Sequence, residues 1–221
     1  MEITEILKRV DHTIIKQGAD WAQTKQILDE AMKYGAACAC IPPAYLADAR
    51  EYVGGAIKLG TVVGFPYGYS TTAAKMLETR EALENGADEI DMVINIGWLH
   101  DGEDLLNLCE IAQIKDMMGS RVLKVIIEAC LLTDEEKIRA CKIITDANAD
   151  YIKTSTGLAA GGATEHDIRL FAEHIGPNVK IKAAGGVNTP EQAQRFIELG
   201  ASHVGSSRII KGLEGKKSID Y

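Results

Sequence analysis

Two lysines and one aspartate occupy three β-rich runs of the sequence. Lys153 lies in the motif IKTSTG, Lys182 in KIKAAGG and Asp91 in EIDMVIN. Two ammonium groups held close together in a water-poor site cannot both stay charged, so one of them loses its proton more readily. The neutral amine that results attacks carbonyl carbon, and a neighbouring carboxylate can carry protons. These residue types therefore predict Schiff-base carbonyl chemistry without an added cofactor.

The alternation of side chains along the predicted strands indicates where these residues point. Successive residues of a strand face opposite sides of the sheet. In four consecutive runs, apolar residues share one face and ionisable residues share the other. The ionisable members are Glu89, Asp91, Lys124, Glu128, Lys153, Lys180 and Lys182. The apolar face must pack under helices, so we expect the ionisable face to point inward.

A cluster of buried charges has two interpretations. Desolvating each ion is unfavourable by several kcal/mol before pairing offsets it, so stability alone gives little reason for such a cluster and function is the better explanation. A purely structural ion-pair network is the alternative. Lys124 and Glu128 in particular could support the reacting groups rather than react themselves.

Two glycine-rich segments follow the last two predicted strands. One contains Gly185 and Gly186, and the other is Gly205-Ser206-Ser207, followed by a short helical stretch. Glycine lets the backbone approach a ligand, and unpaired amides at a helix start favour an anion. Each motif alone is typical of a plain turn. Together, after strands seven and eight of a βα barrel and beside the lysines, they predict a phosphate site.

Eight β-rich runs alternate with amphipathic helical segments. The runs lie at 10–15, 37–42, 62–65, 89–95, 122–128, 151–157, 179–184 and 203–207. Capping boxes that start at Thr133 and Thr189 mark two of the helices. This order predicts an α/β protein with a parallel sheet, closed as a (β/α)8 TIM barrel, with one domain over 1–221 whose last residues, about 208–221, form a C-terminal helix and tail.

The barrel prediction has an alternative and a consequence. A doubly wound open sheet is the alternative, but the first run ends in Asp11-His12-Thr13 and carries no glycine-rich dinucleotide turn.

In a barrel, Lys153 and Lys182 lie on adjacent strands, about 5 Å apart if their heights match. Strands four and six then share a layer, which can place Asp91 at the height of Lys153.

Composition excludes several classes of partner. The chain has 221 residues, 46% of them hydrophobic, and a formal net charge of −8. This balance argues against a general binder of nucleic acid or of membrane surfaces. No apolar run reaches the ~18–20 residues of a membrane helix, and the charged N-terminal segment is unlike a signal peptide. Five scattered cysteines without metal-type spacing predict reduced thiols, no metal site and a cytoplasmic protein.

Six motifs along the chain make it similar to the deoxyribose-phosphate aldolase family. They are DHT at 11–13, VGFPYG at 63–68, EIDMVIN at 89–95, KVIIE at 124–128, DYIKTSTG at 150–157 and KAAGGV at 182–187. The resemblance implies a class I lyase that reversibly cleaves 2-deoxy-D-ribose 5-phosphate into acetaldehyde and D-glyceraldehyde 3-phosphate. It implies Lys153 as the Schiff-base lysine, Asp91 and Lys182 as proton carriers, and a homo-oligomer, either a dimer or a tetramer.

The resemblance also implies a set of residues that bind the phosphorylated sugar. They are Asp11, Thr156, Gly157, Gly185, Gly186, Gly205, Ser206 and Ser207. Asp11 has two open interpretations, contact with substrate hydroxyls or capping of a turn. Two positions depart from the family pattern at the phosphate end: Asn188 stands where many members carry Arg, and Gly205-Ser206-Ser207 replaces Gly-Thr-Ser.

The final residue, Tyr221, is a candidate catalytic residue by the same resemblance. Some members of the family also end in Tyr and use it in handling the C2 proton, while an unstructured end is the alternative. Another class I aldolase of a phosphorylated sugar is the competing enzyme. A catalytically silent sensor of phosphorylated sugars is the competing binding protein, although a sensor has no need of an activated amine.

Overall fold

A closed parallel barrel of eight strands forms the centre of the molecule. The computed structural model describes residues 1–213. The strands are β1 (Val10–Thr13), β2 (Cys38–Cys40), β3 (Leu59–Val63), β4 (Glu89–Val93), β5 (Val122–Ile126), β6 (Tyr151–Lys153), β7 (Lys180–Ala184) and β8 (His203–Ser206). Val10 of β1 pairs with Val204 of β8, which closes the sheet. The predicted barrel is confirmed, and the doubly wound open sheet was the wrong alternative.

Helices cover the outside of the barrel. They are α1 (Ile3–Leu7), α2 (Trp21–Tyr34), α3 (Leu46–Val53), α4 (Thr72–Glu84), α5 (Ile96–His100), α6 (Asp104–Met118), α7 (Asp134–Asp146), α8 (Glu165–His174), α9 (Pro190–Glu198) and α10 (Ile209–Leu213). The capping boxes at Thr133 and Thr189 are both present. Among residues 1–213, none of the helices has the length and hydrophobicity of a membrane span.

Several strands end earlier than the sequence pattern predicts. β6 stops at Lys153 because the Thr154 hydroxyl donates to the carbonyl of Ala184 at 2.8 Å and accepts from its amide at 3.0 Å. β5 stops at Ile126, and Glu128 lies in the left-handed region with φ 47°. In both places the chain leaves the sheet immediately above the barrel centre. The segments expected as strand ends are therefore the loops that form the upper wall of the site.

The barrel interior is filled in layers of four side chains from alternate strands. The register between paired strands identifies these layers. If one steps from each residue to its partner on the next strand, and moves two residues along the strand at every second step to follow the strand tilt, the path returns to the starting residue after eight strands. One such layer consists of Cys40, Asp91, Lys153 and Gly205. The layer beneath it consists of Asp11, Gly60, Lys124 and Lys182. The predicted shared layer of Asp91 and Lys153 is confirmed.

Glycine makes room for the lysines in these layers. A Cβ added to Gly205 would lie 3.3 Å from Cε of Lys182, and one added to Gly60 would lie 2.9 Å from Sγ of Cys38. Lys124, Lys153 and Lys182 are all buried, so the ionisable face points inward as expected. Lys180 is the exception, because it begins β7 at the open lower end of the barrel and is exposed.

Candidate active site

Lys153 and Lys182 meet at one oxygen of Asp91. The two lysines are register partners on β6 and β7. Lys153 Nζ donates to Asp91 Oδ2 at 2.6 Å, and Lys182 Nζ donates to the same oxygen at 2.7 Å. All three side chains are at most 3% exposed. The structure thus brings together the three residues that the sequence predicts to react.

The surroundings give the two lysines different protonation. Burial is the main cause that lowers the pKa of Lys153; the Asp91 carboxylate opposes this shift, and the charge of Lys182 adds to it. Burial also disfavours the charged form of Lys182, but the carboxylates of Asp11 and Asp91 outweigh it and hold that pKa above its ordinary value. Lys153 is therefore the amine that loses its proton more readily, and Lys182 is the one whose charged form is favoured.

Asp11 lies inside the barrel, so its expected contact with substrate stays a prediction. It is fully buried, and its Oδ2 lies 2.5 Å from Lys182 Nζ and 2.9 Å from Lys124 Nζ. Pairing of β1 with β8 places it in the layer beneath Lys153 rather than in a turn or at the pocket surface. The structure therefore makes Asp11 the second counter-ion of Lys182.

Lys124 extends the same ion-pair network toward the lower end of the barrel. Its Nζ contacts Asp11, lies 3.7 Å from Asp91 Oδ1 and bonds to Glu89. Ligand atoms of Asp11, Cys38 and Glu89 all lie within 4.8 Å of one another, a spacing that would suit a metal ion. Lys124 bonds to both carboxylates and Lys182 also pairs with Asp11, so lysines of the protein itself already neutralise this site. Lys124 has the supporting position that the sequence interpretation left open.

A pocket of about 230 Å³ opens directly above Lys153. Its wall includes every predicted binding residue except Asp11, namely Thr156, Gly157, Gly185, Gly186, Gly205, Ser206 and Ser207. Asp91, Lys182 and Asp11 lie below the pocket floor. Tyr221 lies outside the described residues, so its predicted role stays a prediction.

The loop after β7 turns at the two predicted glycines. Gly185 has φ +83° and Gly186 has φ +76°, values that other residues rarely adopt. A Cβ on Gly162 would overlap the carbonyl of Gly185, so the loop after β6 packs directly on this turn. Ala163 N donates to the carbonyls of Ala184 and Gly185, each at 3.1 Å. The glycines therefore give the pocket a rim of closely packed backbone.

The hydroxyl of Ser206 forms its hydrogen bonds with the backbone of the protein. It donates to the carbonyl of Val187 at 2.7 Å and accepts from the amides of Arg208 and Ile209 at 3.1 and 3.2 Å. These bonds join the loops after β7 and β8. Both amides therefore have an acceptor within the protein, and the anion site expected at the start of α10 stays a prediction.

Glu128 supports the wall on the opposite side. Thr156 donates its amide to Glu128 Oε1 at 3.2 Å, and its hydroxyl donates to Oε2. Burial raises the pKa of Glu128, and the bonds from Thr156 oppose this shift. Glu128 has the supporting position that the sequence left open, and it orients Thr156 rather than Lys153.

Sequence reasoning missed two other wall residues with polar groups. Thr13 ends β1, and Arg208 follows the Gly205-Ser206-Ser207 motif directly. The signal for Arg208 was its place in the loop after strand eight, where barrels of this type often bind phosphate.

Comparisons with known proteins agree with this geometry. A family model described as DeoC/LacD family aldolase matches residues 6–212. A deoxyribose-phosphate aldolase of Clostridioides difficile is 52% identical over 98% of this chain and 99% of the relative. One of Clostridium botulinum is 51% identical over 100% of both chains. The tetrameric deoxyribose phosphate aldolase structure from Aeropyrum pernix is 27% identical, with a TM-score of 0.89 over 96% of this chain and 92% of that one. The chain therefore belongs to the DeoC/LacD family of aldolases.

Proposed function

We propose that this chain reversibly cleaves 2-deoxy-D-ribose 5-phosphate into acetaldehyde and D-glyceraldehyde 3-phosphate. The observation that carries the proposal is a buried amine, Lys153, whose pKa is lowered first by burial and further by Lys182, at the floor of a pocket with a glycine-rich rim. Relatives that are about half identical over the full length are named deoxyribose-phosphate aldolases, which supports the same substrate.

Lys153 acts as the nucleophile in this proposal. In the synthetic direction, neutral Nζ adds to the carbonyl carbon of acetaldehyde, and loss of water leaves an iminium ion on Lys153. Removal of a C2 proton then gives an enamine, whose C2 attacks the aldehyde carbon of D-glyceraldehyde 3-phosphate. Addition of water to the new iminium releases the sugar and the free amine. The positively charged imine accepts the electron pair that would otherwise remain on a carbanion, which divides one difficult step into easier ones.

Asp91 and Lys182 carry the protons in this scheme. Asp91 Oδ2 accepts hydrogen bonds from both lysines, which supports proton exchange with the groups on Lys153 Nζ. Lys182 stays charged through Asp11 and Asp91, so it can donate a proton to the leaving hydroxyl and recover it afterwards. Asp11 acts through Lys182 as a positioning residue.

Borohydride reduction tests the nucleophile. Reduction in the presence of acetaldehyde should leave an ethyl group on the peptide that contains Lys153, detected by peptide mass mapping. Lys153→Arg should give no adduct and no cleavage, since a guanidinium does not become neutral here. An adduct on Lys182 instead would overturn the assignment.

The relatives and the composition support an inference about assembly and location. We infer a homo-oligomer, either a dimer or a tetramer, in the cytoplasm, with no nucleic acid or membrane as partner. The tetrameric neighbour from Aeropyrum pernix supports the assembly, and five free cysteines agree with a reducing compartment. Light scattering of the purified chain checks the assembly, and a monomer at micromolar concentration would contradict it.

A further inference from the structure

Thr156 is the polar member of three residues that two neighbouring cavities share. The pocket above Lys153 and a second cleft of about 530 Å³ are both lined by Ile15, Thr156 and Leu158. Glu128 lines the second cleft, where its carboxylate accepts from the amide and the hydroxyl of Thr156. What Thr156 can offer to a ligand in the pocket therefore depends on its bonds to Glu128.

The hydrogen bonds of the Thr156 hydroxyl fix the direction of its proton. A threonine hydroxyl has one proton to donate and two lone pairs that accept. An ionised carboxylate only accepts, so the bond between Thr156 Oγ1 and Glu128 Oε2 uses the proton. The amide of Leu158 donates to the same hydroxyl at 3.1 Å and fills one lone pair. The other lone pair has no donor among residues 1–213, so toward the pocket Thr156 accepts a hydrogen bond and donates none.

The backbone of Glu128 is held against β6. The residues on either side of Glu128 donate their amides to the carbonyls of Lys153 and Thr154, at 3.1 and 2.8 Å. Between these bonds Glu128 has φ 47°, in the left-handed region that residues other than glycine rarely adopt. Strained backbone of this kind persists where neighbouring contacts impose it, and it is concentrated at functional sites. The position of the carboxylate is therefore tied directly to the backbone of the lysine that is proposed to react.

A hydrogen-bond acceptor at this place suits a hydroxyl of the aldehyde that the enamine attacks. The aldehyde oxygen of D-glyceraldehyde 3-phosphate is itself an acceptor, so it gains no hydrogen bond from Thr156. The neighbouring C2 hydroxyl can donate, and it keeps its proton before and after the carbon–carbon bond forms. The C2 hydroxyl is therefore the group that fits the open lone pair of Thr156 throughout the reaction.

We propose that Glu128 is a positioning residue that holds the Thr156 proton, leaves the pocket a hydrogen-bond acceptor, and thereby favours aldehydes with a hydroxyl beside the carbonyl carbon. Glu128 acts through Thr156 in this scheme and does not touch the substrate. The inference rests on the proposed function, because the preference is read through the reaction at Lys153.

A fluorinated aldehyde measures the preference. Fluorine is close to a hydroxyl in size and withdraws electrons as a hydroxyl does, but it cannot donate a hydrogen bond. The measured quantity is kcat/KM for D-glyceraldehyde 3-phosphate divided by kcat/KM for its 2-deoxy-2-fluoro analogue, with acetaldehyde as the second substrate. Both aldehydes carry the phosphate and react at Lys153, so a general loss of activity in a variant cancels in this ratio.

Removal of the Glu128 carboxylate should lower the ratio. In Glu128→Met the side chain keeps its length, but the Thr156 proton loses its acceptor and can turn into the pocket, so the ratio should fall about 10-fold, the effect of one hydrogen bond. Glu128→Gln, the conservative variant, keeps an oxygen that can accept this proton and should retain more of the preference. Glu136→Met is the matched control, because Glu136 accepts from the amide of Thr133 at 2.8 Å in the same way but lies on α7 outside the barrel. This control should keep the wild-type ratio.

Substitutions of Thr156 separate positioning from a merely structural role of Glu128. Thr156→Val removes the hydroxyl and should lower the ratio about as much as Glu128→Met, whereas Thr156→Ser keeps the hydroxyl and should keep the ratio. Because Glu128 acts through Thr156, adding Glu128→Met to Thr156→Val should lower the ratio no further.

The outcomes distinguish this inference from the proposed function. If the wild-type chain neither joins acetaldehyde to D-glyceraldehyde 3-phosphate nor forms a borohydride adduct with acetaldehyde, the proposed function fails. If it does both, an unchanged ratio in Glu128→Met refutes the role of Glu128. A further fall of the ratio in the double variant refutes it as well, because Glu128 would then act without Thr156.

Discussion

One oxygen of Asp91 accepts a hydrogen bond from each of two lysines, yet the pKa of Lys153 is lowered and that of Lys182 is raised. The difference comes from their other neighbours. Lys182 has a second carboxylate, Asp11, 2.5 Å away, whereas Lys153 faces the pocket. Two neighbouring carboxylates stabilise the charged form of Lys182, whereas the charge of Lys182 disfavours the charged form of Lys153. Asp11 therefore helps to hold the pKa of Lys182 above that of Lys153, although it does not line the pocket itself.

Removal of the Lys182 charge should shift the pH dependence of catalysis. Lys182 lowers the pKa of Lys153, so in Lys182→Met that pKa rises and less neutral amine exists at a given pH. The rising limb of the kcat/KM profile should move to higher pH, and turnover at pH 7 should fall at least ~10²-fold. Lys180→Met, an exposed position on the same strand, is the control. An unmoved limb in Lys182→Met would contradict this account.

Asp91 and Lys182 should act as one unit. Asp91→Asn removes the carboxylate charge that both lysines share, and turnover should again fall at least ~10²-fold. Groups that work together are not additive, so the double variant with Lys182→Met should be little worse than the worse single variant. Steady-state kinetics of the two single variants and the double variant test this prediction. Multiplied losses would mean that the two residues serve separate steps.

The inward direction of these three side chains could be predicted from the sequence because the information is local. Parity within a strand is enough to turn Asp91, Lys153 and Lys182 inward. The role of Asp11 was not predictable in this way, because its bond to Lys182 joins β1 to β7 across a barrel that must first close. Arg208 was missed because it stands in a loop, where no periodicity says which way a side chain points.

At the scale of elements, the loop after β3 is fixed by close contact with the end of β4. Gly68 N donates to the carbonyl of Gly64 at 2.8 Å, and Gly64 N donates to Glu78 Oε2 at 2.6 Å. A Cβ on Gly68 would overlap the carbonyl oxygen of Ile94. The motif VGFPYG, noted in the sequence only as a resemblance, thus has a packing reason of its own.

Comparison of two glycines separates the loss of stability caused by this contact from the loss caused by the left-handed backbone conformation. Gly68 has φ +73° and Gly18 has φ +77°, but Gly18 has open space where a Cβ would stand. Gly18→Ala should reduce the free energy of unfolding by about 1–2 kcal/mol, the ordinary penalty of the left-handed region. Gly68→Ala should reduce it by more than about 3 kcal/mol, because overlap with backbone adds to that penalty. Urea unfolding measures both, and equal losses would refute the packing argument.

At the scale of the molecule, a chain of ion pairs passes through the barrel. It runs through Glu89, Lys124, Asp11, Lys182, Asp91 and Lys153, which come from β4, β5, β1, β7, β4 and β6. An ordinary barrel of this class is filled by Val, Ile and Leu. Here the same space holds charges whose partners lie on distant strands, so the residues to which the proposed function assigns catalysis also belong to the buried ion-pair network of the barrel.

Loss of one cation from this chain should be costly. Lys124→Met leaves Asp11 paired with Lys182 alone and removes the buried lysine that pairs with Glu89. The substitution should lower the free energy of unfolding by about 3–5 kcal/mol, as is usual when a buried ion pair loses one member. Lys58 lies 3.5 Å from Glu89 but is 63% exposed. Lys58→Met, the control, should therefore change stability by less than about 1 kcal/mol. Similar small losses in both variants would show that water reaches the barrel centre.

Acid should weaken the fold through the same carboxylates. Burial alone would raise the pKa values of Asp11 and Asp91, but the surrounding lysines more than reverse this and hold both pKa values below the ordinary one. Groups of this kind add stability that is complete above the unfolded pKa of about 3.9 and is lost as the pH falls below it. The free energy of unfolding, measured with urea, should therefore decline steadily from about pH 4 toward pH 2.

Asp11→Asn identifies the carboxylate responsible. The variant should be less stable than the wild type at pH 7, because Lys182 and Lys124 then face a neutral amide. Its acid decline should be shallower, by up to about 1.4 kcal/mol per pH unit, since one fewer carboxylate takes up a proton on unfolding. The two curves should then converge as the pH falls. Curves that stay parallel from pH 7 to pH 2 would mean that the acid sensitivity arises elsewhere in the molecule.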